Sequence, residues 1–379
     1  MTKNHSRFDS VPDGTRGSPV TQKVFGLPKE TWRFPEGVIA FFQPVYSLFQ
    51  QRVTGFEVLA RVRTDSGNLL QPRQFLPFLT LEQRRELSRL MLSAGLRLLE
   101  KLDAEGYCLE MSFNVDPDFM EDRDCVPCFL GVVQGSPISA ERITLELLES
   151  GDFLQGDIAV QRLEHLCETG AQIALDDIGS AYSSLLRLKN LPIKKIKLDQ
   201  ELVKDLAREP KIIAFVQSMK FLADGLGATL IVEGVETPAI LEAMGNLSQD
   251  LVQGYAIARP MDATAFVQYL RSDPTFPRPE SPGSLLGAYA AHVLRRPLLY
   301  SLSAEMSELS PVEFLERSPL LQYLRLYPSL QTKPILEAYG KLREVDQQSP
   351  QGVKQRLQEI EENLQPLLFA AIRAADEES

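Results

Sequence analysis

From about residue 36 to residue 270 the chain repeats one theme, a short apolar segment of strand character followed by a segment with the three-to-four spacing of a helix. VIAFFQPVYSL (38–48) and VTGFEVLARV (53–62) read as strands, and LEQRRELSRLMLSAGLRLLEKL (81–102) reads as a helix. CLEMSFNV, RITLELLE, QIALDD, IKKIKLD, ATLIVEG and a short segment near DLVQGYA continue the strands. DIAVQRLEHLCETG, YSSLLRLKNL, PKIIAFVQSMKFLADGLG and TPAILEAMGNL supply helices between them. Repeated strand-helix units over roughly 230 residues suit a closed (β/α) barrel better than an open sheet. No glycine-rich phosphate loop of Walker or Rossmann type follows any of these strands, which leaves an open nucleotide-binding sheet as the second choice.

The flanks differ in composition. Residues 1 to 34 are polar and rich in Gly, Pro and charge, so a flexible lead-in is expected there. RSDPTFPRPESPGS (271–284) reads as a linker, with a barrel domain over 35–270 before it. Residues 285–379 read as a mostly helical accessory domain in which Val353, Leu357, Ile360, Leu364 and Leu368 recur at helical spacing and Pro366 starts a new turn or kinks the helix. A length of 379 residues and 44% hydrophobic content fit one large α/β domain plus this smaller one. No apolar run reaches the roughly 18 residues that span a bilayer. The opening MTKNHSRFDS lacks a secretory core, so no membrane span and a cytoplasmic location are expected.

A net charge of −11 argues against binding DNA or RNA polymers, since phosphate contacts need clustered Lys and Arg. An anionic ligand would need a local remedy such as bound metal. Cys125-Val-Pro-Cys128 is the close pair among four cysteines, and with three histidines in the chain it lacks the second half of a zinc site. Ordinary reduced thiols are expected.

A (β/α) barrel gathers its chemistry at the C-terminal ends of the strands. Glu57 lies in the second strand, Asn114 ends the third, and Glu146 lies in the fourth. Asp176 and Asp177 end QIALDD, Lys197 ends IKKIKL, and Glu233 ends ATLIVEG. Each residue alone has a plain explanation: Asp177 before Gly179 as a turn residue, Asn114 as a loop starter, Glu57 as an exposed strand position, Lys197 as a surface lysine. Together they place five carboxylates, one amide oxygen and one ammonium at one rim. Such a cluster is unfavourable unless hard divalent ions with oxygen ligands, Mg²⁺ or Mn²⁺, compensate it. The adjacent aspartates would serve two ions from one turn, an arrangement that clamps a phosphodiester and activates water.

These residues sit in an ordered series: QPVYSL at Gln43, EVLAR at Glu57, FNVDP at Asn114, LELLES at Glu146, DDIGSAYSSL at Asp176, KLD at Lys197, EGVET at Glu233 and QGY at Gln253. The series resembles the EAL-domain cyclic di-GMP phosphodiesterases over about residues 36 to 270. The resemblance implies hydrolysis of cyclic di-GMP to linear pGpG in a modified (β/α)8 barrel of the TIM type with one antiparallel strand, commonly as a homodimer. It implies that Glu57, Asn114, Glu146 and Asp176 hold one cation and that Asp176, Asp177 and Glu233 hold the second. Lys197 and Gln253 would orient the nucleophilic water, with Glu233 also a candidate base. Arg61 would contact a substrate phosphate, Gln43 would reach the guanine or the sugar-phosphate ring, and Glu149 would steady the loop after Asp177. Asp199 and Glu236 would support the substrate side. Three departures stand out: Val58 within the signature triplet, Ile178 where Phe is usual, and Ala181 where a second Gly is typical. Val58 is compatible with strand geometry, whereas the last two, in the loop after the aspartates, motivate an alternative, a catalytically impaired cyclic di-GMP receptor that signals through the helical C-terminal part. That part would alternatively bind a protein partner of its own.

Overall fold

A computed structural model describes residues 20–22, 30–115, 125–148, 157–179, 191–276, 281–301, 317–329, 332–340 and 350–377. Its framework starts from two long strands rich in β-branched and aromatic residues, β3 (Val38–Ser47) and β4 (Arg52–Arg63), paired antiparallel with Gln43 opposite Glu57. From β4 the sheet continues in parallel through β6 (Glu110–Asn114), β7 (Ile143–Leu148), β8 (Gln172–Ile178), β9 (Lys195–Leu198), β10 (Thr229–Val232) and β11 (Leu251–Val252). β11 then pairs antiparallel with β3, which closes the ring. Of the nine strands in this sheet, eight form the barrel, and the two-residue β5 (Leu69–Leu70) is an edge addition to β4. β3 is thus the antiparallel stave of a TIM-like barrel.

Strands covered on both faces read as continuous apolar runs, and β7 shows this, with five of its six residues buried. The longest covering helix of the barrel, α1 (Leu81–Ala104), is started by a capping box in which Thr80 Oγ1 accepts from Gln83 N and Gln83 Oε1 accepts from Thr80 N. Its buried face, Leu87, Met91, Leu92, Leu96 and Leu99, follows the helical period. Further helices are α2 (Cys125–Gln134), α3 (Asp157–Glu168), α4 (Ile212–Gly225), α5 (Pro238–Asn246) and α6 (Ala263–Arg271). α2 is not among the elements read from the sequence, and it carries the Cys125-Cys128 pair, whose Cys128 is exposed. The helix expected at YSSLLRLKNL falls largely on 180–190, outside the described residues.

Three boundaries differ from the sequence reading. The lead-in does not extend to residue 34. β2 (Glu30–Trp32) pairs with β1 (Val20–Gln22), Trp32 is fully buried against Phe75 with ring centroids 6.2 Å apart, and Phe34 is buried as well. Two large aromatics in a polar segment are enough to draw its end into the core. Nor is 271–284 a free linker, because Phe276 meets the Tyr46 ring edge-to-face at 4.9 Å and its amide donates to the Tyr46 hydroxyl at 3.2 Å. Lastly, α10 (Pro350–Glu377) runs on through Pro366, with Leu364, Leu368 and Ile372 buried. The side chains of Val353, Leu357 and Ile360 lie outside the described residues.

Among the described residues, the rest of the C-terminal part comprises α7 (Leu285–Ser301), α8 (Pro319–Leu326) and α9 (Lys333–Gly340). α7 lies on α5 and α4 of the barrel and carries α8 and α10 on its other contacts. Among the described residues no helix is long and apolar enough to cross a membrane. Because Trp32 is a core residue, Trp32→Ala should lower unfolding stability by about 3 to 5 kcal/mol in a urea titration, whereas a flexible lead-in would leave the midpoint unchanged.

Candidate metal centre

The site is built around one ammonium group. Lys197, on β9 and 1% exposed, places its Nζ 2.7 Å from Glu233 Oε1, 2.9 Å from Glu146 Oε2, 3.2 Å from Glu57 Oε2 and 3.3 Å from Asp176 Oδ1. Each carboxylate comes from a different stave or its end: β4, β7, β8, and the residue after β10. Amides hold the ring together. Asn114 Nδ2 donates to Glu57 Oε1 at 2.8 Å and to Glu146 Oε2 at 3.3 Å. Gln253 Nε2 donates to Glu57 Oε2 at 2.8 Å and to Gln43 Oε1 at 3.2 Å.

Asp176 and Asp177 are adjacent, so regular strand geometry would aim them at opposite faces. The chain avoids this by breaking the strand: the β8–β9 register shifts between Leu175 and Ile178, and Asp177 takes a left-handed φ of 59°. Aspartate tolerates that region better than most residues, and its amide donates to Asp176 Oδ1 at 3.1 Å. Oxygens of Asp176, Asp177 and Glu233 consequently lie within 4.8 Å of one another. Ile178, which the sequence reading put in the loop, instead ends β8 opposite Leu198 and is buried in the core. Ala181 lies outside the described residues.

The electrostatics record an excess of negative charge. Burial would lower the Lys197 pKa, but Asp176, Glu146, Glu233 and Glu57 outweigh it and hold the ammonium well above its ordinary value. Burial pushes Glu57 up, yet Lys197 and the Gln253 amide prevail and keep it ionised below the usual range. The other carboxylates go the opposite way. Burial, reinforced by the charge on Glu57, drives Glu146 well above its ordinary value, and burial also raises Asp176 against the pull of Lys197. Burial brings Glu233 to about 8 despite Lys197, and burial together with the Asp176 charge brings Asp177 to about 6. One ammonium therefore cannot neutralise five carboxylates, and the surplus is met by retained protons. Three buried oxygens of the site, Glu146 Oε1, Glu233 Oε1 and Gln253 Oε1, are without a well-formed hydrogen bond, Glu233 Oε1 having only its ion-pair contact with Lys197 Nζ. An all-oxygen donor set with surplus charge and unfilled acceptors fits hard divalent cations.

The remaining predicted residues are placed unevenly. Gln43 is buried and bonded to Gln253, with its own Nε2 reaching Ala258 O at 3.3 Å. Arg61 lies on β4, donates to Ala60 O at 2.8 Å and stands 5.7 Å over the Phe41 ring. Asp199 is buried and caps the one-turn helix Gln200–Val203 by accepting from Glu201 N at 2.9 Å. Glu236 is exposed on the link to α5, and Glu149 lies outside the described residues. The sequence reading passed over Gly254. A Cβ there would lie 2.2 Å from Val235 O, so only glycine lets the two rim loops touch and exchange the Val235 N to Gln253 O hydrogen bond of 3.1 Å. The QGY motif contained that glycine, but only the tertiary contact explains it.

Comparison with known proteins can now be set against this geometry. The family model described as EAL domain matches residues 36–260, more than half of the chain. The chain belongs to the EAL domain family. It is similar to the cyclic di-GMP phosphodiesterase RocR of Pseudomonas aeruginosa, 31% identical over 231 residues covering 61% of this chain and 59% of the relative. Similarity to the cyclic di-GMP phosphodiesterase PdeR of Escherichia coli K12 is 27% over 241 residues, 62% of this chain and 35% of that protein. The chain thus spans less than two thirds of either relative. Among solved structures, the PaMucR phosphodiesterase in complex with c-di-GMP aligns with a TM-score of 0.57 at 26% identity, over 61% of this chain and 94% of the other. The EAL domain of FimX from Pseudomonas aeruginosa bound to c-di-GMP, at 20% identity and a TM-score of 0.54, covers 60% of this chain and 91% of its own, and shows the shared fold.

Two outcomes follow from the charge balance. Asp177 at about 6 and Glu233 at about 8 are protonated below those values in the cation-free protein and must lose their protons to become ligands. Calorimetric Mn²⁺ titration in buffers of different ionisation enthalpy should show proton release, with affinity weakening as pH falls from about 8.5 to about 5.5. Replacing the ammonium, Lys197→Met, should lower stability in EDTA by about 3 to 5 kcal/mol, with part of the loss recovered on adding Mn²⁺. A melting temperature indifferent to both changes would count against the charge cluster as described.

Proposed function

We propose that this protein is a cyclic di-GMP phosphodiesterase that uses two divalent cations, Mg²⁺ or Mn²⁺, to hydrolyse its substrate to linear pGpG. The observation that supports this reading is the convergence of four carboxylates on one buried ammonium at the barrel rim, with Asn114 bonded to two of them and Asp177 beside two of them. Glu57, Asn114, Glu146 and Asp176 would hold one cation, and Asp176, Asp177 and Glu233 the other. When bound, the cations would clamp the phosphodiester oxygens and lower the pKa of a shared water.

The chain's own groups complete the chemistry. Lys197 Nζ donates hydrogen bonds to an oxygen that gains negative charge as phosphorus is attacked. Gln253, whose Nε2 is committed to Glu57 and Gln43, keeps its Oε1 unpartnered, and that oxygen accepts from and orients the attacking water. Glu233, ionised once the cations are held, is also the candidate to take the proton of that water. Arg61 presents a planar guanidinium to a substrate phosphate, and Gln43, Asp199 and Glu236 belong to the substrate side of the same reading. Glu149 is assigned to steadying the loop after Asp177.

The receptor reading is less well supported, because no acidic ligand of the set is missing and Ile178 is a packing residue of β8. We also assign the chain a cytoplasmic location, a homodimeric assembly, a barrel domain over 35–270 and a helical accessory part over 285–379 with room for a protein partner. Purified protein with Mn²⁺ or Mg²⁺ should release pGpG from cyclic di-GMP, and Glu57→Ala or Glu233→Ala should each reduce turnover by at least about 100-fold. Tight binding of the dinucleotide without any linear product, under metal-replete conditions, would transfer the assignment to the receptor.

A further inference from the structure

The helix that leaves the metal centre is the same helix that the C-terminal layer grips. Glu233 follows β10 directly, and five residues later the chain enters α5 at Pro238. Main-chain contacts hold the intervening turn: Glu233 N donates to Leu198 O at 3.2 Å and Val235 N to Gln253 O at 3.1 Å. Gly234, at φ +69°, packs so tightly that a Cβ would lie 2.8 Å from Gln200 Cα. The Glu233 carboxylate has Lys197 as its ion partner, and its Oε1 makes no hydrogen bond. Its aim is set by that ion pair and by the backbone of the turn between β10 and α5.

α5 is in turn latched to α7. The Glu242 carboxylate accepts from Gly283 N and from Ser284 Oγ, both at 2.5 Å, while Ser284 Oγ accepts from Gly287 N at 3.0 Å. Glu242 thereby supplies from another helix the acceptor that the start of α7 needs, and it brings negative charge to a helix N-terminus. Asn246 Nδ2 adds a bond to Gly287 O at 3.2 Å. The fit leaves no room, since a Cβ on Gly287 would stand 2.6 Å from Glu242 Cδ.

Behind this contact the C-terminal part is one unit. His292, buried on α7, contacts Ser318 Oγ at 3.0 Å through Nδ1 and Glu361 Oε1 at 3.2 Å through Nε2. Those bonds tie α7 to the start of α8 and to α10, and Tyr289 meets Phe369 edge-to-face at 5.5 Å. A force on α8 or α10 would thus be passed to α7 and on to α5.

We propose that Glu242 is a positioning residue for the metal centre: the seat of α7 on α5, made by Glu242 and Gly287, fixes the turn that carries Glu233 and so sets the affinity for the cation that Glu233 helps to hold. The C-terminal helices act through this latch rather than by reaching the rim. The consequence for turnover rests on the phosphodiesterase reading, whereas the mechanical link does not.

Full-length Glu242→Ala and Gly287→Val proteins test the link by amide hydrogen exchange and Mn²⁺ titration. Exchange should quicken in α5 and in the turn 233–237, with the strands from β4 to β8 still protected. Mn²⁺ affinity should fall by about tenfold or more, the range in which groups supporting metal ligands act, and Glu242→Gln should fall between. In the hydrolysis assay kcat should drop more than KM rises. Should Gly287→Val fail to fold, Ser284→Ala removes one bond of the latch without added bulk and carries the same expectation in smaller measure. The proposal is overturned if α7 exchanges faster while the turn 233–237 and the Mn²⁺ affinity stay as in the unaltered protein. If those two respond but the unaltered protein makes no pGpG, the positioning role stands and the phosphodiesterase reading fails.

Discussion

Everything at the rim depends on a buried ammonium held among more carboxylates than it can neutralise. Lys197 meets four of them within 3.3 Å. Unit charges at such distances interact strongly in a low-dielectric setting, but taking each from water is also unfavourable, and the balance holds only where geometry and hydrogen bonds are good. Here Glu57 is the best served, with Asn114, Gln253 and Lys197 on its two oxygens, and it stays ionised. Glu146, Asp176, Glu233 and Asp177 are less well served, and all titrate above the ordinary carboxylate range. The cluster thus has the charge surplus and oxygen donors that suit a cation, with the protein's own lysine among them.

The barrel makes this arrangement possible. Parallel staves present their C-terminal ends to one opening, so residues 57, 146, 176 and 233 meet although the chain between them is long. Closure through the antiparallel β3 brings Gln43 opposite Glu57 and, by way of β11, beside Gln253. Two local irregularities finish the work. The break in β8 turns adjacent aspartates toward one centre, and the missing side chain at Gly254 lets the last two rim loops bond to each other.

Much of this was legible in the primary structure. The alternation of elements indicates a closed barrel, and strand positions alone place Glu57, Asn114, Glu146, Asp176, Asp177, Lys197 and Glu233 at its rim, while Gln253 enters only through the family resemblance. What misled was composition used as a proxy for packing. A polar, glycine-rich lead-in still contributed Trp32 to the core, and a Pro- and Ser-rich segment was anchored by Phe276. Single large aromatics decide such cases, and averages over a window dilute them.

By itself the sequence determined which groups carry charge, where each falls on a strand, and hence that a rim of oxygen ligands would form if the strands closed on one another; those are properties of residue type and period. Only the tertiary structure decided that Lys197 stands at the centre of the ligands instead of at the surface, and that the C-terminal helices seat on α5 through Glu242. The physical reason is that these are contacts between groups remote along the chain, and their strength depends on distance and burial, which periodicity does not encode.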